Sequence, residues 1–343
     1  MARVSWRSGH GPLFGAALWR HHALGRVSAA LGGGHETGTP GSVSSPSGSL
    51  VWLDNGQVRV CMTPDLGAGL MEMAVLHRGR WEQVLRPCHG PATDPEQLAC
   101  CVLMPWSNRL YGSGFQWRER PVRVAPTRLV DPVPLHGDAW VAPWQVLRQC
   151  ADEVALVHDA RGRQSFPYVG HVRYGIKDTT LRVEMSVEHH GVEPLPYGLG
   201  LHPWFVRSHD TQVRFLSSGR WEPDATRPPR HIRRLSGVEP HSFKQAKTLP
   251  DELIDHAYLE WDGTAEVLWP SRGLAVCMQA DPIARNLVVY SPAGAAGANF
   301  VCLEPVTHAP DAHRAPASRS TGLVELRQGG RLELAVTLTA APV

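Results

Sequence analysis

An all-β fold, one large sandwich of many antiparallel strands, is what the sequence predicts, and three observations carry it. From residue 50 onward the dominant hydrophobic period is two rather than 3.6. The chain holds 33 Gly and 29 Pro, more than a helical protein tolerates. No unit of roughly 30 to 50 residues recurs, which argues against a propeller or solenoid.

The elements follow in order. Val58, Val60 and Met62 alternate with polar or small neighbours before the turn-rich TPDLGAG, and so form an early strand. PEQLACCVL is the one persuasive helical stretch, and it is short. In LRVEMSVEHH, Leu181, Val183, Met185 and Val187 alternate with Arg182, Glu184, Ser186 and Glu188, the pattern of a half-buried strand. QVRFL, LAVCMQ and NLVVYSP are further strands between Gly and Pro punctuation. Leu332, Leu334, Val336 and Leu338 close the chain in the same alternation. The domain reading is therefore a β-sandwich over 50–343, large for a single unit but within reach of all-β folds.

Residues 1–49 read differently. They carry four arginines, one acid (Glu36) and a Gly, Ser and Pro-rich end, the composition of a disordered extension. PLFGAALW behind Arg3 and Arg7 resembles a weak export signal, but Arg20 and Arg26 follow it and oppose translocation. A displaced start is a third reading of this tail.

Composition excludes several classes. The 343 residues carry a formal net charge of +2 with both signs interspersed, which is no footprint for nucleic acid. No apolar run approaches the ~20 residues of a membrane helix. Seven cysteines without a C-x-x-C pair fit neither a disulfide framework nor a zinc ribbon, so a reducing, cytoplasmic location is expected. The 18 histidines are poorly spaced for ligation, with His189 and His190 pointing to opposite sides of a strand and His308 and His313 split by a proline. No metal and no cofactor is expected, since dinucleotide and P-loop fingerprints and the G-x-S-x-G elbow are also missing.

What remains is a set of polar residues in unusual places. In GLGLHPWFV, Gly198, Gly200, His202 and Trp204 share one strand face while Leu199, Leu201 and Phe205 share the other. The glycines would leave space on the histidine's face, Trp204 would offer a flat wall, and Pro203 would end or bulge the ladder. A buried histidine with one backbone partner is the structural alternative. In NFVCLEPVTHAPDAH, Phe300, Cys302 and Glu304 share a face and the carboxylate again precedes a proline. A strand-end glutamate paired with an arginine is the alternative there. PLHGDAW offers His136 and Trp140, MPWSNRLYGSGF offers Asn108 and Arg109, and ELIDHAYLEWDG offers Asp255, which on its own is as readily a turn former.

Taken together, PDLGAGL, NRLYGSGF, PLHGDAW, GLGLHPWF and FVCLEPVTHAPDA, in this order over about 50 to 343, resemble the aldose 1-epimerase (galactose mutarotase) family. The resemblance implies a galactose mutarotase-like β-supersandwich with few short helices, and a cofactor-free isomerase that interconverts the α and β anomers of a free aldose. It implies Glu304 as general base and His202 as general acid, with Glu304 ionised and His202 protonated at rest. His136, Arg109, Asn108 and Asp255 would bind the sugar; pocket physics rather than the resemblance makes Trp204, with Trp140, the expected apolar wall. HGDAW and GLGLHPWF depart from the His-Gly-Gly and Asn-x-x-His-x-Tyr-Phe runs of the best-known members, so the sugar's surroundings differ. The partner expected is a small sugar, with no nucleic acid or membrane, and the protein a monomer or weak dimer. Three other functions share these residues. They are a non-catalytic sugar-binding module, an epimerase of hexose 6-phosphates, which needs a second arginine beside Arg109, and a glycoside hydrolase or lyase, which needs two carboxylates flanking one bond.

Overall fold

The computed structural model describes residues 50–112, 114–222, 231–293, 299–315 and 321–343. The expected disordered extension over 1–49 lies outside them.

Two antiparallel sheets, one of eleven strands and one of nine, make up most of the described chain. The nine-stranded sheet runs from Lys247–Thr248 through Gln212–Phe215, Thr264–Trp269, Leu274–Ala280 and Arg331–Pro342 to Thr180–His189, Tyr168–Lys177, Glu153–Asp159 and Gln145–Gln149. Leu181 faces Leu338, Val183 faces Val336 and Met185 faces Leu334, so the two strands read most clearly from sequence pair apolar residue to apolar residue. The eleven-stranded sheet places Cys100–Leu103, Gly200–Val206, Phe300–Val306, Asn286–Ser291 and Ile254–Leu259 side by side at its centre.

One apolar cluster joins the sheets: Val60, Val102, Leu201, Phe205, Val289 and Leu303 from the eleven-stranded sheet meet Leu156, Val183, Val276 and Val336 from the nine-stranded one. The other face of the eleven-stranded sheet is also covered, by a second cluster of Cys61, Met71, Cys101, Leu103, Trp140, Trp204 and Cys302. Double coverage explains why Gly200–Val206 and Phe300–Val306 are buried almost throughout.

The helix expected over PEQLACCVL does not form. Asp94 caps a single 3-10 turn, Pro95–Gln97, through a capping box, and the chain then enters the strand Cys100–Leu103. All four residues of that strand are buried, and pairing with Gly200–Val206 decides their conformation against the local signal. Among the described residues, no helix is long and apolar enough to cross a membrane.

Candidate active site

The two prolines read from sequence mark the place where the site opens. Gly200 faces Val306 and Trp204 faces Cys302, and this register sets His202 directly across from Glu304 on the neighbouring strand. Pro203 and Pro305 lack the N–H groups that would close the ladder between those pairs. The two side chains meet, with His202 Nε2 3.2 Å from Glu304 Oε1, and they are 8% and 3% exposed.

A second row lies two residues along on the same face. Trp204 faces Cys302, Cys302 faces Tyr290, and Tyr290 faces Asp255. Asp255 and Arg109 have no side-chain hydrogen bond or ion pair among the described residues, yet both act electrostatically on Glu304. They are unspent polar groups beside the buried pair. Tyr290 and Phe300 are half-buried on this face; the sequence placed Phe300 beside Glu304 but did not single out Tyr290. The alternation of NLVVYSP was the signal for Tyr290.

His136 arrives from a loop. Its backbone and that of Asn108 are both left-handed, with φ of 57° and 60°, and they clasp each other: Asn108 N–H donates to His136 Nδ1 at 3.0 Å and His136 N–H donates to the Asn108 carbonyl at 3.1 Å. Gly137, with φ of 73°, packs so closely on the Met104 carbonyl that a side chain there would collide. Asn108 Oδ1 accepts from the Arg109 N–H at 2.6 Å. Asn108 thus serves its neighbours through its backbone and its side chain alike.

The charge states differ from those expected. Burial raises the Glu304 pKa well above the ordinary carboxylate value, with Asp255 adding to the rise and Arg109 opposing it. Burial lowers His202 to about 3, an effect that nearby Arg86 reinforces. Each partner is driven towards its neutral form rather than towards the anticipated ion pair. The neutral pair and the ion pair nevertheless contain the same number of protons and differ only in where one proton sits across the contact. His136 is pushed well below the ordinary histidine range, first by burial and then by His202 and Arg109.

His136, His202 and Glu304 present nitrogen and oxygen atoms within 4.8 Å of one another, a grouping compatible in composition with a metal site. Widely separated in the chain, they form no spacing motif. In neutral His136, however, Nδ1 accepts the Asn108 N–H, so Nε2 carries the hydrogen and has no lone pair to give a metal. Metal-bound histidines normally have the reverse arrangement, donating from the outer nitrogen. The donor chemistry suits hydrogen bonding better than ligation.

Two expectations about GLGLHPWFV are corrected. The spaces beside Gly198 and Gly200 are filled, the first by the His308 ring and the second by Val306 and Leu103, so the glycines admit neighbours rather than opening a pocket. His308 is held there between the Ser107 N–H (3.0 Å) and the Ala309 carbonyl (2.8 Å). Trp204 is 5% exposed, with the His202 ring stacked on it at 3.9 Å and the Arg86 guanidinium 5.3 Å from its centre. Little of it is left to face a sugar. A cavity of about 490 Å³ lies elsewhere, against Phe115, Val122 and His313, and shares no residue with this site.

The fold and site define a class: an antiparallel β-sandwich that carries a facing histidine and glutamate on one covered sheet face. The sequence profile described as aldose 1-epimerase matches residues 49–339, and the chain belongs to that family. The Escherichia coli K12 protein YphB is 32% identical over 232 residues, covering 66% of this chain and 78% of its own. A crystal structure of an E. coli K12 protein provisionally described as an aldose 1-epimerase superposes with a TM-score of 0.78 at 26% identity, over 86% of this chain and 99% of that one. A galactose mutarotase-like protein of Clostridium acetobutylicum shares the fold, with a TM-score of 0.74 at 17% identity over 86% and 95% of the two chains.

Proposed function

We propose that this protein interconverts the α and β anomers of a free aldose by acid–base ring opening, with Glu304 as base and His202 as acid. The observation that carries the proposal is the 3.2 Å contact between the two groups in a buried setting, beside the unspent Arg109 and Asp255. Membership of the aldose 1-epimerase family supports it.

Ring opening needs two proton transfers. Glu304 takes the proton of the C1 hydroxyl, and the O–H electrons become the second bond of the aldehyde. The C1–O5 bond breaks towards the ring oxygen, which takes the proton of His202. Rotation about C1–C2 presents the other aldehyde face. Reclosure then runs with the two groups in exchanged roles and returns both protons. No net proton is gained or lost, so a pair that holds one mobile proton is sufficient.

The resting preference for the neutral pair fits this cycle. Moving the proton from Glu304 to His202 creates the reactive ion pair at unchanged stoichiometry, and sugar hydroxyls supply hydrogen bonds that offset the loss of solvation. His136 donates from Nε2, Arg109 donates to hydroxyls and Asp255 accepts from them. Tyr290 and Phe300 are the half-exposed apolar surface against which a C–H face can rest.

The test is anomer exchange of fresh α-glucose, α-galactose and several pentoses, followed by polarimetry or NMR above the spontaneous rate. Glu304→Gln and His202→Asn should each lower kcat by about 100- to 10,000-fold, the range for loss of a proton-transfer group. A protein that binds sugar but accelerates exchange for none would be a binding module, and the catalytic assignment would fall.

A further inference from the structure

Resting on that reading of the site, we propose that Trp204 with Arg86, and Trp140 with Arg128, are positioning pairs that hold the His202 and His136 rings, both arginines being anchored on the single turn at 94–98. The arrangement is a continuous array. Arg128 lies 4.7 Å from the centre of the Trp140 ring, and Trp140 meets His136 edge-on at 5.1 Å. His136 meets His202 edge-on at 5.4 Å, His202 stacks on Trp204 at 3.9 Å, and Arg86 lies 5.3 Å from Trp204. The order Arg–Trp–His repeats in reverse across the site.

The outer members are tied down at one place. Arg86 donates to the carbonyls of Glu96 and Leu98, and Arg128 donates to the carboxylates of Asp94 (2.8 Å) and Glu96 (2.7 Å). Asp131 also pairs with Arg128, at 2.8 Å. The backbone joins Arg86 to its tryptophan as well, since the Arg86 N–H donates to the Trp204 carbonyl at 2.7 Å. Arg86 further covers Phe300 at 4.6 Å. A guanidinium that is committed to carbonyls on one side and rings on the other is a strut, not a free anion ligand.

The need for such a strut follows from His202 itself. Among the described residues its buried Nδ1 has no hydrogen-bond partner on any other residue, the one backbone group acting on the ring being its own, so the usual means of fixing an imidazole, a bond from the outer nitrogen to a second residue, is missing. The indole stack and the Glu304 contact are what define its ring plane. Trp204 is therefore assigned to orientation of the acid and not to contact with the sugar.

The test separates these roles by which constant moves. Trp204→Leu should lower kcat for anomer exchange by about 10- to 100-fold, the cost of ångström-scale misplacement, with KM within about threefold. Trp204→Phe, which retains a stacking ring, should restore most of the loss. Arg86→Met should reproduce it, and Arg86→Lys should recover only part, because an ammonium cannot bond both carbonyls and stack. Arg86 also opposes protonation of His202, so Arg86→Met should move the pH–rate profile upwards. Glu304, His136, Cys100, Cys101 and Cys302, the titratable groups around His202, and Asp255 and Arg109, which act on Glu304, are unchanged in that variant. A KM increase with kcat intact in Trp204→Leu, or an unmoved profile in Arg86→Met, overturns the proposal. If Trp204→Leu does not fold, Trp204→Phe and Arg86→Met decide. Should no sugar be turned over at all, the epimerase reading fails by itself, and the ring NMR signal of His202, assigned by its loss in His202→Asn, still reports. A signal that neither Trp204→Phe nor Arg86→Met displaces refutes the positioning role.

Discussion

Replacing Glu304 by glutamine should alter stability in opposite directions on the two sides of neutrality. Burial raises the carboxyl of Glu304 and lowers His202 from 6.5 to about 3, so the folded pair holds one proton between them. Between the ordinary values of 4.5 and 6.5 the unfolded chain also carries one proton on these two groups, and folding takes up none. A raised carboxyl stabilises the fold below its unfolded pKa and loses that contribution as pH rises. Above 6.5 the unfolded chain sheds its proton while the folded pair keeps it until the raised carboxyl of Glu304 itself titrates, and over that span the wild type weakens by roughly 1.4 kcal/mol per pH unit. In Glu304→Gln only His202 titrates, and a lowered histidine penalises the fold below 6.5 and not above it. That penalty is about 1.4 kcal/mol at pH 5.5 and vanishes at pH 8. The variant's stability relative to wild type should therefore swing in its favour between pH 5.5 and 8 by at least the roughly 1.4 kcal/mol that relief of the His202 penalty supplies, whatever constant packing difference the amide adds. Urea denaturation of both proteins at the two pH values measures it. A difference that changes by less than about 1 kcal/mol would refute the shared-proton description.

Two further outcomes are expected. Gly198→Ala should destabilise the fold by about 1 to 3 kcal/mol, read as a lower denaturation midpoint, because the new methyl group would overlap the His308 ring, which two hydrogen bonds hold in place. Arg109→Met and Asp255→Asn should raise KM for the sugar about tenfold each while leaving the folding midpoint nearly unchanged, since neither side chain has a hydrogen-bonded or ion-paired partner among the described residues. Equal loss of kcat and no change in KM would place them in the chemistry instead.

Alternation in Thr180–His189 and Arg331–Pro342 revealed the strands because each has one face against the core, and a half-buried strand writes its burial into every second residue. His202 and Glu304 stood out for a related reason: a titratable group before a proline at the end of an apolar run is an uncommon arrangement visible within a few residues. PEQLACCVL misled because its cap and composition are local, whereas the strand Cys100–Leu103 is imposed by a partner about a hundred residues away. Tyr290 was hidden in ordinary strand alternation.

The sequence by itself determined the all-β class, the order of the strands it could read and the residue types able to move protons. Only the tertiary structure decided that His202 faces Glu304 at 3.2 Å, that His308 fills the space beside Gly198, and that Trp204 stacks on the histidine. Periodicity is a property of one strand and its own two faces. Contact across strands depends on register, and register is set by which strands pair and by the two prolines that leave the ladder open between them. The same holds for charge: burial, which no local stretch encodes, drives both members of the pair towards neutrality.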